Sequence, residues 1–220
     1  MNAVVSTITQ LLPAEIITTD PEQITLYSQD VFTVGPPICA IVRPRNIDEV
    51  QALVRACLER GTPIVTRGGG MSYTSGYIAS APDSVLIDMA SMDAIVEVNL
   101  EDRYVTVEAG CSWQKLYEHL APLGVRTAYW GTLSGRYATV GGGLSQNSIF
   151  WGSGQSGTAA DNVLSVSVVT GKGDLLETGS AAQQRAAPFT RHFGPDLTGV
   201  FLGDCGALGI KVRATLPLVP

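Results

Sequence analysis

An α+β fold, in one large domain or two closely packed subdomains, is what this 220-residue sequence predicts, on three observations. A capped amphipathic helix follows Asn46, two later stretches carry the turn chemistry of antiparallel hairpins, and the 24 glycines gather into clusters. The 45% apolar composition is enough for a substantial core. No repeat of fixed period runs through the chain, which argues against a solenoid.

Asn46 is a good N-cap, Asp48 and Glu49 lie in the first turn where the helix dipole favours negative charge, and Gly61 ends the run. Ile47, Val50, Leu53, Val54, Cys57 and Leu58 fall on one face, predicted to be buried. Pro63 then introduces a short strand, Ile64 to Thr66, that feeds into Arg67 and the glycine run, and a second strand spans Val85 to Met89. The pattern is a β-α-β unit with a glycine loop after its second strand. Ile95–Val98 and Tyr104–Glu108 favour strands, and Asn99 to Asp102 supply the turn of an antiparallel hairpin. Ser112 caps the next helix, in which Leu116, Leu120 and Leu123 share a buried face before Gly124 closes it. Val163–Val169 and Leu175–Thr178 flank Gly171-Lys172-Gly173-Asp174, a second hairpin signal. Residues 180–200 read as an irregular connection.

The formal net charge of −6 and the scattered basic residues argue against a nucleic-acid surface and against an anionic membrane surface. The opening residues lack the basic start and apolar run of a leader, and no stretch approaches the roughly 18 apolar residues of a membrane span. The expected protein is soluble and cytoplasmic, with no membrane insertion. Cys39, Cys57, Cys111 and Cys205 form no CxxC pair and are expected to be reduced thiols, not a disulfide framework or a metal site. His119 on the outer side of its helix and His192 in a loop read as surface residues, so no catalytic base is assigned.

The chemistry is carried by the glycine clusters. A backbone cradles a pyrophosphate only where successive N–H groups converge without Cβ atoms in the way. Arg67-Gly68-Gly69-Gly70-Met71-Ser72 after a strand meets that need, and the hydroxyls of Ser72, Thr74 and Ser75 add donors. The spacing matches neither G-x-G-x-x-G at a strand-to-helix turn nor a G-x-x-x-x-G-K-[ST] loop, which disfavours a Rossmann dehydrogenase and a P-loop ATPase. Thr139-Val140-Gly141-Gly142-Gly143 offers a second strip of bare backbone and leads into Ser153, Gly157 and Thr158. A third cluster holds Gly203, Gly206 and Gly209 before Ile210.

In this order and at these separations the three clusters, with Asp161-Asn162-Val163, resemble the FAD-binding domain of the vanillyl-alcohol oxidase and p-cresol methylhydroxylase family over residues 38–218. The resemblance implies two α/β subdomains with FAD between them, preceded by an N-terminal segment, 1–37. It implies that Arg67, Gly68, Gly69, Gly70, Met71 and Ser72, with Gly76 nearby, hold the pyrophosphate. It further implies that Thr139, Val140, Gly141, Gly142 and Gly143 run along the cofactor with Ser153, Gly157 and Thr158, and that Gly206, Gly209 and Ile210 lie near it, with Ile210 contributing backbone hydrogen bonds. Asp204 is expected to turn its charge away from phosphate. Many members attach the flavin through a histidine after the glycine run or a cysteine before the Thr-Val-Gly motif. Here those places hold Met71 and Tyr137, so FAD is expected to be non-covalent.

Members also continue into a cap domain that shapes the substrate pocket, whereas this sequence stops at Pro220. A separate chain supplying that domain is the expectation if the sequence is complete. The implied activity is hydride transfer to the flavin from a small-molecule substrate, an alcohol, a hydroxy acid or a phenol, by an oxidase or a dehydrogenase. The alternative is a non-catalytic FAD-binding scaffold. Trp113, Trp130 and Trp151 read as packing residues before flavin stackers, and Tyr73 and Tyr77, like Tyr129, as residues that could approach the cofactor, the first two from beside the first glycine loop.

Overall fold

The computed structural model describes residues 2–129 and 131–220. Trp130 lies outside them. Two sheets organise the chain: a mixed four-stranded sheet and a six-stranded antiparallel one.

In the first sheet the order is β1 (Ile17–Thr18), β2 (Ala40–Val42), β4 (Val85–Asp88), β3 (Ile64–Arg67), with β2, β4 and β3 parallel and β1 antiparallel at the edge. The helix read from Asn46 is present as α3 (Ile47–Glu59), and the Asn46 side chain accepts from the Glu49 amide at 2.9 Å. It connects β2 to β3 and buries Val50, Leu53, Val54, Ala56 and Cys57. Leu58, expected on the same face, is exposed: it sits at the end of the helix and lines a recess of about 270 Å³ with Thr62 and Ile64. The glycine loop leaves β3 and returns to β4, which lies between β2 and β3.

The residues ahead of β2 are part of this body. Helices α1 (Ala3–Leu11) and α2 (Pro21–Tyr27) are capped by Asn2 and Asp20. Val4, Val5, Ile8, Leu12 and Ile16 pack into the same core as Leu53, Ile87 and Met92.

The hairpin β5 (Ile95–Asn99) and β6 (Tyr104–Glu108) opens the second sheet, and β8 (Ser165–Val169) with β9 (Leu175–Glu177) forms the other hairpin. The final strand β10 (Ile210–Val219) lies between them, paired with β6 and β8 along its first part and with β7 (Arg126–Thr127) at its end. Helix α4 (Trp113–Leu120) starts at Ser112, whose hydroxyl accepts from the Lys115 amide at 3.1 Å, and buries Leu116 and Leu120. Leu123 is exposed, because the α-helix stops at Leu120 and the next turn is a 3-10 turn, Ala121–Leu123, on which the 3.6-residue period no longer holds.

Two short helices, α5 (Val140–Ser145) and α6 (Ser153–Ser156), carry the second glycine stretch, and α7 (Leu197–Val200) precedes the third cluster. The two sheets share a core: Val169, Ile210 and Val212 of the second pack among the residues of the first. This places the glycine loop after β3, the start of α5 and the start of β10 around one cleft.

Candidate cofactor-binding site

The cleft has a volume of about 570 Å³, within the ~300–1,000 Å³ range of small-molecule and cofactor sites. Arg67, Gly68, Gly69, Gly70, Met71, Ser72 and Gly76 line one side, Thr139, Gly141, Gly142 and Gly143 another, and Gly206, Gly209 and Ile210 the end. Gly206, Gly209 and Ile210, with Thr66, also border the smaller recess beside α3.

Four residues of the sequence assignment stand off the cleft. Val140 is fully buried in the second core. The Ser153 hydroxyl accepts from the Phe150 amide at 3.0 Å, and Thr158 donates through its amide and its hydroxyl to Asp161 at 2.7 and 2.9 Å. Gly157, at φ +79°, leaves room for that Asp161 carboxylate. These groups shape the turn between α6 and β8.

Asp161 and Asp196 are both held below the ordinary aspartate value, Asp161 by the Thr158 amide and hydroxyl and Asp196 by Arg191, which also donates to the Ala160 carbonyl. A carboxylate whose folded value is depressed stabilises the fold above its unfolded value and loses that contribution as pH falls through the folded one. Acid titration followed by circular dichroism is therefore expected to show stability declining below about pH 4, and Asp161→Asn with Asp196→Asn to flatten that decline; an unchanged acid limb would refute the assignment.

The glycine loop itself is poised for an acceptor. Among the described residues, the amides of Gly69, Gly70, Met71 and Ser72 donate to no protein acceptor. Gly70 adopts φ +66°, a conformation that favours glycine. The Ser72 hydroxyl meets Thr74 at 3.0 Å, and Thr74 donates to Gln146 at 3.3 Å, which ties the loop to the end of α5. The electrostatics of the lining are one-sided. In a chain of net charge −6, the described lining includes no carboxylate, two cations, Arg67 and Lys211, and eight serine and threonine hydroxyls.

Arg67 lies under the loop, its guanidinium 4.4 Å from the Tyr27 ring centroid and 4.0 Å from Asp88. Its charge is thus shared with a buried carboxylate that also meets Arg43 at 3.4 Å. Sequence reasoning missed Lys211. Its ammonium meets Asp204 at 2.5 Å, and both side chains are buried. Asp204 also accepts from the amides of Gly206 and Leu208, so its charge is held within its own loop. Burial pushes the Lys211 ammonium below the ordinary lysine range, and Asp204 offsets part of that. A lysine directly after Gly-x-Leu-Gly-Ile, in an otherwise apolar strand start, was the available signal.

Of the aromatics, Trp113 and Tyr129 are buried edge-to-face at 5.3 Å, whereas Trp151 is exposed against Phe150. Tyr77 is buried and donates to the Gly70 carbonyl at 3.0 Å; Tyr73 is exposed beside Phe32. All four cysteines are free, and burial pushes the Cys57 and Cys111 thiols up to about 12. No helix among the described residues is long and apolar enough to cross a membrane.

A bare-backbone loop whose amides from Gly69 to Ser72 meet no acceptor among the described residues, on a cleft with no carboxylate in its described lining, fits the class of domain that holds a diphosphate-bearing cofactor. The chain belongs to the FAD binding domain family, which matches residues 38–179. Its fold is of the p-cresol methylhydroxylase type: it superposes on p-cresol methylhydroxylase with a TM-score of 0.83 over 99% of this chain and 43% of that one, at 21% identity.

The chain is 34% identical over 178 residues to a mitochondrial D-lactate dehydrogenase [cytochrome] of Arabidopsis thaliana, covering 81% of this chain and 30% of the relative. It is 30% identical over 181 residues to glycolate oxidase subunit GlcD of Bacillus subtilis (strain 168), covering 82% and 37%. It therefore spans about a third of the length of these relatives.

Proposed function

We propose that this chain holds FAD as the flavin-binding part of an oxidoreductase acting on a 2-hydroxy acid. The observation that carries the cofactor reading is the set of unpaired amides at Gly69 to Ser72 on a cleft without a described carboxylate. A diphosphate supplies the acceptors those amides lack, and the side chains around them do not repel it. When bound, FAD supplies the hydride-accepting ring.

The chain's own residues bind and orient. The amides of the loop and the Ser72 and Thr74 hydroxyls would hold the diphosphate, and Thr139, Gly141 to Gly143, Gly206, Gly209 and Ile210 would border the rest of the cofactor along the cleft. The hydroxy-acid class rests on the names of the two relatives, which act on D-lactate and glycolate. Part of the substrate pocket comes from outside these residues: the cleft opens between exposed Val31, Tyr73, Leu133 and Ile149, and a cap region, on a separate chain or a further segment, covers them.

Met71 and Tyr137 supply neither the histidine nitrogen nor the cysteine sulfur of those links, so the cofactor is read as held without a covalent link from this chain. Purified chain is expected to be yellow, with FAD released into solution by acid precipitation. Colour remaining in the pellet overturns the non-covalent reading. A chain that binds no FAD alone or with its cap overturns the cofactor reading. Bleaching by D-lactate or glycolate under anaerobic conditions tests the reaction, and a flavin that no hydroxy acid reduces when the cap is present favours a scaffold.

A further inference from the structure

We propose that the turn formed by residues 27–34 is a positioning clamp for the glycine loop, with Asp30 its principal residue. The proposal rests on the reading of the cleft as an FAD site. The turn grips the loop at both ends. At the start, the Tyr27 ring lies against Arg67, and the Tyr27 hydroxyl donates to Asp88 at 3.2 Å. At the far end, Asp30 Oδ2 accepts from the Ser75 amide at 2.9 Å, and the Thr33 and Ser75 hydroxyls meet at 3.0 Å.

The clamp is itself fixed. Asp30 Oδ1 accepts from the amides of Phe32 and Thr33 at 2.9 and 2.7 Å, so one carboxylate closes its own turn and reaches across to the loop. Ser75 has φ +58°, a conformation uncommon for a residue with a Cβ. The bond from Asp30 holds it there, on the segment that carries Ser72 and Thr74. A loop of glycines loses more conformational freedom than any other when it is ordered, so fixing its ends beforehand reduces the entropy lost on binding a diphosphate.

The test is Asp30→Asn, which keeps the size of the side chain but leaves one acceptor oxygen for amides that now share two. Affinity is measured by quenching of flavin fluorescence with FAD and with riboflavin, which has no diphosphate, and amide hydrogen exchange is followed across residues 67–76 of the apoprotein. The expected result is FAD binding about tenfold weaker, riboflavin binding unchanged, and faster exchange at Ser75 and through the loop.

Unchanged FAD affinity, unchanged exchange, or an equal loss for FAD and riboflavin overturns the clamp. Failure of the wild-type chain to bind FAD overturns the cofactor reading instead, and exchange alone then decides whether the turn holds the loop. Should Asp30→Asn not fold, Thr33→Val removes only the hydroxyl contact to Ser75. It is expected to shift exchange and FAD affinity in the same direction by a smaller factor, and no shift in either overturns the clamp.

Discussion

Lys211→Met destabilises the fold by about 3–5 kcal/mol, the cost typical of leaving one partner of a buried ion pair uncompensated. The side chains of Lys211 and Asp204 are 2% and 3% exposed, so water cannot take the place of the missing ammonium. Removing the lysine leaves Asp204 with only the Gly206 and Leu208 amides, at 3.0 and 3.3 Å. Those bonds fold the loop that carries Gly206 and Gly209 along the end of the cleft, so strain on the carboxylate reaches the cleft wall directly.

The double variant Lys211→Met with Asp204→Asn is expected to recover a good part of the loss, because a neutral amide keeps an acceptor for the loop and no longer needs a counter-charge. Urea unfolding of the two single variants and the double variant measures the coupling. A Lys211→Met protein within about 1 kcal/mol of wild type would show that the pair is solvated and that the loop is held by its amides alone.

The pair also marks where the sequence stopped being legible. Local signals gave the local elements: Asn46 and Ser112 cap the helices they were expected to cap, and the turns at 99–102 and 171–174 join paired strands. Legible too was the gathering of three glycine clusters, because their order and separation identify the family independently of the contacts they make. Long-range partnership was not. The contact between Asp204 and Lys211, the burial of Val4, Val5 and Ile8 against α3, and the bond from Asp30 to Ser75 each depend on where the chain returns.

Three consecutive glycines disfavour a helix by about 1 kcal/mol each relative to alanine, yet Gly141 to Gly143 lie in α5, capped by the Thr139 hydroxyl at 3.2 Å from the Gly142 amide. Packing selects this helix: a side chain at Gly141 would press on Ala109, and one at Gly143 would lie 3.1 Å from the Trp113 ring. The bare backbone read from the sequence as room for a ligand is in part room for the protein itself.

The same distinction sets the expected result of Gly69→Ala. A Cβ at Gly69 would overlap the Tyr137 carbonyl, which is backbone and cannot swing away as a side-chain end would. The methyl group is accommodated only if the glycine loop separates from the 137–139 segment, and both border the cleft. Overpacking of this kind costs about 1–3 kcal/mol of stability. The larger effect falls on the cofactor: donors that converge on one diphosphate in the wild type no longer do so, and FAD affinity is expected to drop by about a hundredfold, the equivalent of losing roughly two charge-assisted hydrogen bonds. Gly154→Ala is the matched control, since a Cβ there meets nothing within 4 Å, and it is expected to leave FAD affinity unchanged and to raise stability by at most about 1 kcal/mol, the gain of alanine over glycine in a helix. Equal FAD affinity in Gly69→Ala and Gly154→Ala would mean that the diphosphate does not sit on the loop after β3, and the cleft would have to bind its ligand through the α5 side alone.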